Sequence, residues 1–215
     1  MRHAVDAVLA GRAAPFRGEE PSAIAKLPVS GPVAVGALGL AGDEQADRRV
    51  HGGPDKALHH YPRDHYAAWR AELGDLAPID QAGAFGENIS TTGLTEGDLR
   101  IGDRFRLGTA LVEVSHGRQP CWKLDHRFGG AAILKRVVQT GRCGWYYRVL
   151  EPGTVAAGDD LALVERGAAD WTVARVFHLL IGGGHRAEPE TLSHLAALPA
   201  LADAWRAKAA ALAGQ

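Results

Sequence analysis

Cys121 sits in the stretch HGRQPCWKL, just after a proline and between Arg118 and Lys123. The alternating run Leu111–Ser115 ahead of it reads as a strand, so the thiol is expected in a turn past a strand end. Two neighbouring cations favour a thiolate, ready for a metal or an electrophile. A small buried apolar side chain is the plainer reading of a free cysteine. A second candidate is RRVHGGPDKALHHYPRDHY, with His51, His59, His60 and His65 inside fifteen positions. There Gly52 and Gly53 could let backbone amides approach an anion, with Arg49 and Lys56 supplying charge. A third is GAFGENIS, where a buried Glu87–Asn88 pair could hydrogen-bond a heteroaromatic ring and a plain turn is equally consistent. A fourth, LGLAGDEQ, carries Asp43 and Gln45 at a turn and reads as a solvated loop.

These stretches need a scaffold, and the first 165 or so residues supply a β pattern. Short apolar runs such as AVDAVLAG, PVAVGALGL, LVEVS, GWYYRVL and LALVE alternate with glycine-rich turns. Many short strands with frequent turns suggest a barrel or sandwich. RIGDRFRLG reads as a hairpin around Gly102-Asp103, or with its turn elsewhere. Two helices interrupt this pattern. Pro62 to Leu73 places Tyr66, Trp69 and Leu73 on one face. GGAAILKRVVQTG has an apolar stripe of Ile133, Leu134, Val137 and Val138, with Gly141 as a stop. After Glu165 the sequence reads as three short helices. Asp170 or Thr172 caps the first, GGGHRAEP breaks it from the second, and Pro199 separates the second from the third. None should be stable alone, so the unit must pack on itself, on the barrel or on a partner.

The 215 residues, 46% hydrophobic and 23% charged, fit one large domain or one with a small appendage. A net charge of −1 gives no global attraction to nucleic acid or acidic membranes. Two cysteines make no disulfide framework and no zinc-finger spacing. The N-terminal stretch lacks an apolar core of signal-peptide length, and no run is long enough to span a bilayer. A reduced, cytoplasmic setting is expected. In the tail, four basic residues (Arg175, Arg186, Arg206, Lys208) face four acidic ones (Asp170, Glu188, Glu190, Asp203), which is no footprint for DNA.

Two chemistries compete on these residues. A zinc site could use His51, His60 and Cys121, although the spacing matches no HExxH-type motif. A cysteine hydrolase could use Cys121 as nucleophile with His51, His60 or His116 as base, although no thiol-protease signature is present.

Taken together, GLAGDEQADRRVHGGPDKALHHYPRDHY, GAFGENISTTGLTEGDLRIGDRFRLGTALVEVSHGRQPCWKL and TGRCGWYYRVLEPGTV resemble the MOSC domain, the molybdenum cofactor sulfurase C-terminal type of domain. The order and spacing are closest to the YiiM-type bacterial subfamily, and the resemblance extends over nearly the whole chain. It implies a mostly β (α+β) fold: a distorted MOSC β-barrel over residues 1–166 and a small three-helix extension over 167–215. It also implies a molybdopterin-type molybdenum cofactor. The implied activity is reduction of N-hydroxylated compounds such as hydroxylaminopurine-like base analogues, with electrons from a separate reductase. A carrier of the cofactor or of sulfur, without turnover of its own, is the alternative.

Cys121 occupies the family's cysteine position in the R-x-P-C turn and is assigned as the metal ligand. A thiolate suits a soft metal site, and Arg118 and Lys123 would favour it. Arg49, His51 and Lys56 would line the anionic side. His60, Glu87, Asn88 and His116 are expected to contact pterin or substrate, with a histidine, His60 or His116 among the candidates, as proton donor. Two departures stand out. His116-Gly117 falls where small or amide residues are expected. Cys143 falls where no thiol is expected and reads as structural. The tail is expected to pack, to dimerise or to dock the reductase.

Overall fold

In the computed structural model, which describes residues 1–46, 52–74 and 77–214, seven strands close into a barrel. They are β1 (Arg2–Ala10), β7 (Leu58–His60), β8 (Ile89–Thr91), β9 (Arg104–Leu107), β10 (Ala110–Gly117), β11 (Trp145–Glu151) and β13 (Asp160–Glu165). The order around the barrel is β13-β9-β10-β11-β7-β8-β1, and β1 closes it against β13 through Arg2↔Ala162 to Ala4↔Asp160. Closure leaves no open edge among these strands. All the pairings are antiparallel except β7 with β8. The expected hairpin turns at Gly108-Thr109, joining β9 to β10, rather than at Gly102-Asp103.

Smaller pieces decorate the barrel. β4 (Leu27–Pro28) pairs with the far end of β1. β2 (Ala14–Arg17) and β3 (Glu20–Ser22) form a separate hairpin. β5 (Val33–Gly36), β6 (Gly39–Leu40) and β12 (Gly153–Val155) form a three-stranded sheet. The helices are α1 (Asp64–Leu73), α2 (Trp122–Arg127), α3 (Ile133–Thr140), α4 (Val173–Leu180), α5 (Thr191–Ala196) and α6 (Asp203–Ala213). α3 stops at Gly141, whose φ of 73° is left-handed as the sequence suggested. Of the two candidate caps for α4, Thr172 acts: its Oγ1 accepts from the Arg175 amide.

Alternation on β11 sorts two kinds of aromatic residue. Trp145 and Tyr147 point into the barrel with Phe105, Val112, Val114 and Leu161, while Tyr146 and Arg148 face outward. Cross-strand register extends this choice. His60 pairs with Trp145, and His59 pairs with Tyr146. On the other side His116 pairs with Tyr146. One outward-facing row therefore runs His59–Tyr146–His116 across β7, β11 and β10.

The three tail helices pack on the barrel, one of the options open from sequence. Ile101 N–H donates to the Trp171 carbonyl (2.9 Å), and Val173 N–H donates to that of Leu99 (3.0 Å). Ala202 N–H donates to Ser115 O at 3.1 Å. Buried Val176, Phe177, Leu192, Leu195 and Trp205 join the barrel's own apolar core. No helix among the described residues is long and apolar enough to cross a membrane.

Candidate functional site

A cleft open to solvent lies outside the barrel over the His59–Tyr146 end of that row. Four segments wall it: Ser22–Lys26, Asp43–Ala46, Phe85–Asn88 and the turn carrying Arg118, Cys121 and Lys123; Lys56 lies on its margin.

The thiol reaches the cleft because β10 ends at Gly117. Arg118 N–H then donates to Gly144 O (3.0 Å), and the chain turns through buried Pro120 into α2. Cys121 is the N-cap of α2, with extended backbone and no side-chain bond to the helix. Its thiol is free and half-buried. A residue at position 144 must lie close to β7. Gly144 has φ of 68°, and a Cβ there would collide with the His60 carbonyl and come within 3.0 Å of His59 Nε2.

A buried polar network forms the opposite wall. The Lys26 ammonium is paired with the Asp43 carboxylate, their side chains 9% and 3% exposed. Asp43 also accepts from the Gly11 amide (2.8 Å) and from Asn88 Nδ2 (2.8 Å). Asn88 Nδ2 donates a second bond to Leu9 O (3.1 Å), and its Oδ1 accepts from the His59 amide (3.0 Å). Asn88 thus lines the cleft, but its amide is spent on the protein. Asp43 is not the solvated loop residue the sequence suggested; burial beside Lys26 corrects that reading.

Burial dominates the electrostatics. It lowers the Lys26 ammonium pKa, against the pull of Asp43. It lowers that of Lys56, against Asp55. It holds His59 well below the ordinary histidine range, with the Arg118 charge adding to the effect. It raises the Tyr146 phenol, which Arg118 opposes. His59 is therefore neutral, and its Nε2 is buried without a hydrogen-bond partner among the described residues.

Arg118, Lys123, Asn88, Lys56 and Cys121 meet at this cleft, as the sequence grouped them. Arg49 and His51 lie outside the described residues. Three other candidates lie away from the cleft, and each placement is a correction. His60 faces the barrel interior, its Nδ1 beside Tyr147 Oη (3.1 Å) and Nε2 beside Thr91 Oγ1 (3.0 Å). Burial pushes its pKa down to about 3. His116 is 1% exposed and stacks on the far side of Tyr146, also with a pKa lowered by burial to about 3. Glu87 is fully buried and ties its own loop: its carboxylate accepts from Tyr66 Oη (2.6 Å), Gly83 N (2.7 Å) and Phe85 N (3.0 Å). Cys143 is buried, its thiol donating to Gly144 O at 3.0 Å and its pKa raised by burial, which suits the structural reading.

Lys26, His59 and Tyr146 were missed. His59 and Tyr146 each neighbour a residue of the opposite face, and only the β7–β11 register separates them. Lys26 carries no sequence signal that we recognise. The competing chemistries fare less well. His60 does not approach Cys121 for a zinc site, and no group of three or more His, Cys, Asp or Glu among the described residues is arranged to hold a metal. The hydrolase reading loses His60 and His116 as bases.

The residues present fit an anionic, metal-bearing cofactor. Among the described residues, a free soft donor faces a cleft lined by Lys26, Lys56, Arg118 and Lys123, beside a buried imidazole nitrogen without a partner.

Comparison with known proteins places the chain in a family. Residues 47–162 match the model of the MOSC domain, and residues 171–212 match that of the YiiM-like, 3-alpha helix domain. The chain is 49% identical over 173 residues to Protein YiiM of Escherichia coli, covering 80% of this chain and 76% of that one. It is 44% identical over 160 residues to a protein of Gibberella moniliformis named "Reductase", covering 74% of this chain and 28% of the longer relative. The crystal structure of YiiM from Geobacillus stearothermophilus superposes with a TM-score of 0.83 at 34% identity, covering 98% of this chain and 99% of that one.

Proposed function

The chain belongs to the MOSC family and carries the YiiM-like three-helix extension, and on that premise we propose that it is a molybdenum-cofactor-dependent reductase of N-hydroxylated compounds. The observation that carries the reading is the free Cys121 thiol, unbonded to its own helix, facing the cleft that Lys26, Lys56, Arg118 and Lys123 line. Cys121 is the residue to ligate the metal. Arg118 and Lys123, which flank it in sequence and line the same cleft, are suited to offset negative charge on the cofactor. Lys26 and Lys56, with Arg49 and His51 of the segment outside the described residues, are suited to the anionic part of a molybdopterin. When bound, that cofactor supplies the two-electron chemistry that removal of an N-hydroxyl oxygen requires.

The protein's part is to hold, orient and deliver protons. The cleft presents one neutral imidazole, His59, and one protonated phenol, Tyr146. His60 and His116, neutral and turned away, do not serve. The substrate class and a separate electron-donating reductase rest on the family resemblance. The relative named "Reductase" supports the oxidoreductase class.

The test is molybdenum per chain, measured by elemental mass spectrometry on protein from a host that makes the cofactor. Loss of a ligand should cost at least what loss of a supporting contact does, so Cys121→Ala should hold roughly tenfold less metal, or lower still. Reduction of hydroxylaminopurine by the loaded parent with a chemical electron donor then separates a reductase from a carrier. Equal molybdenum in parent and variant would remove Cys121 as ligand; metal without turnover would favour the carrier.

A further inference from the structure

The outward-facing row does not end at His116. Trp205 of α6, 4% exposed, packs against the His116 ring with centroids 5.2 Å apart at 63°. His116 in turn stacks on Tyr146 (5.2 Å, 25°), and Tyr146 on His59 (5.1 Å, 37°). Four rings thus connect the last helix of the tail to the wall of the cleft. The tail end of this column is fixed. The Arg148 guanidinium donates to Ala200 O (2.9 Å) and pairs with Asp55 (2.7 Å), and Asp55 accepts from the Asp203 amide (3.3 Å). Ser115 Oγ donates to Asp55 O (2.6 Å) and sits 3.0 Å from His116 Nδ1, while Ser115 O accepts from the Ala202 amide. The start of α6, the loop that carries Lys56 and the His116 strand are therefore bolted together.

We propose that the tail is part of the site's scaffold: Trp205, acting through His116, is a positioning residue that sets the orientation of Tyr146 in the cleft. The reason is geometric. Tyr146 is held between two rings, and its hydroxyl lies within electrostatic reach of Arg118 and Cys121. One neighbour, His59, is pinned by Asn88 through its backbone. The other, His116, has Trp205 behind it. Remove that indole and the His116 ring gains room to tilt, and Tyr146 follows it because aromatic contacts of this kind fix relative orientation. A tail that served only for docking or dimerisation would leave Tyr146 untouched.

The geometric claim stands apart from the proposed reductase activity; only its consequence for the cofactor rests on that reading. The test therefore starts with cofactor-free protein. The chain has four tyrosines, Tyr61, Tyr66, Tyr146 and Tyr147. Labelled with 3-fluorotyrosine, they give four fluorine resonances, and Tyr146→Phe assigns the one of interest. Trp205→Leu should shift or split the Tyr146 resonance and leave those of Tyr61 and Tyr66 in place, while Trp205→Phe restores most of the parent signal. An unmoved Tyr146 resonance in folded Trp205→Leu overturns the proposal. So does a change spread equally over all four resonances, which marks a general loss of stability. If Trp205→Leu does not fold, Trp205→Met takes its place under the same criterion. In molybdenum-loaded protein Trp205→Leu should lower metal content roughly three- to tenfold, and should do so much less in a Tyr146→Phe background. Equal losses in both backgrounds would show that the helix does not act through Tyr146. A parent without molybdenum would count against the reductase reading and leave the fluorine result to decide this one.

Discussion

Asp43→Ala tests whether the wall opposite Cys121 is the buried network described. The substitution removes the acceptor for the Lys26 ammonium, the Asn88 amide and the Gly11 backbone N–H. Deleting one partner of a buried pair costs roughly 3–5 kcal/mol, because the other charge stays buried. The two orphaned donors could add about 1–3 kcal/mol each in a closed core. Here the cleft admits water to them, so the pair term sets the scale. For a chain of this size about 2–4 °C accompanies each kcal/mol, which puts the fall in melting temperature at roughly 6–20 °C.

The loss should also depend on pH, and its sign is fixed. Burial lowers the Lys26 pKa in the folded chain, and Asp43 is the largest influence holding it up. Without Asp43 it falls further. Between the folded value and the ordinary lysine range the unfolded chain binds more protons, so raising the pH there favours the folded state, and does so more in the variant. The deficit is thus greatest below the folded pKa and narrows as pH rises through it toward the unfolded lysine pKa of about 10.4. Urea unfolding followed by circular dichroism, at pH 7 and again near pH 9.5, measures both the size and the trend. A deficit under about 1 kcal/mol at neutral pH, or one that widens with pH, would refute the buried-pair argument. The double variant Lys26→Met with Asp43→Leu should recover much of the loss, since it leaves no unpaired charge.

Cys143→Ala should leave molybdenum content at the parent level, because that thiol is sealed behind Gly117; a loss matching that of Cys121→Ala, by the same elemental measurement, would contradict its structural assignment. Stability should fall as pH drops below the ordinary histidine range. His60 and His116 titrate near pH 3 when folded, so the unfolded chain takes up their protons first, and each costs about 1.4 kcal/mol per pH unit in that window. His60→Gln should flatten the slope of unfolding free energy between pH 6 and about 4, and an unchanged slope would mean that His60 is not buried neutral. Glu87→Gln puts an amide donor against backbone donors and should cost roughly 2–4 kcal/mol in chemical denaturation. A variant as stable as the parent would show that its carboxylate does not bind the 83–87 loop.

Sequence reasoning placed the thiol well and the histidines badly, and the difference is physical. The Cys121 turn is bounded by a strand and a helix whose periodicities can be read, so its position past a strand end follows. β7 has three residues, Leu58-His59-His60, and all are buried. Alternation cannot be read from a strand with no exposed face, so nothing in LHH says which imidazole looks outward. That is settled by pairing with β11, some eighty-five residues on, where a one-residue slip would exchange His59 for His60. Glu87 failed differently. Two of its partners are Gly83 and Phe85, within four residues, so the tie is local, as the plain-turn reading of this glycine-bracketed stretch allows, and the family resemblance is what favours the ligand role. Lys26 and Asp43 form a tertiary pair between irregular segments, and no local pattern announces one.

The charge of the cleft carries the same lesson at larger scale. The whole chain has a net charge of −1, and on that ground no strong field is expected. Yet among the described residues Lys26, Lys56, Arg118 and Lys123 line one cleft, with Asp43 and Glu44 as the acids on its wall. Segments from both halves of the chain supply these cations, so no window of sequence is visibly basic. A low-dielectric wall of Phe85, Ile24 and Tyr146 strengthens each charge relative to the same charge in water. Asp43 and Lys26 form a pair whose charges nearly cancel, so among the described residues the positive field felt by a ligand comes from Lys56, Arg118 and Lys123. The gathering of cations at the cleft is therefore a property of the barrel's register and loop packing. Composition averages it away, which is why the same sequence can look electrostatically neutral and still present a cleft lined by cations.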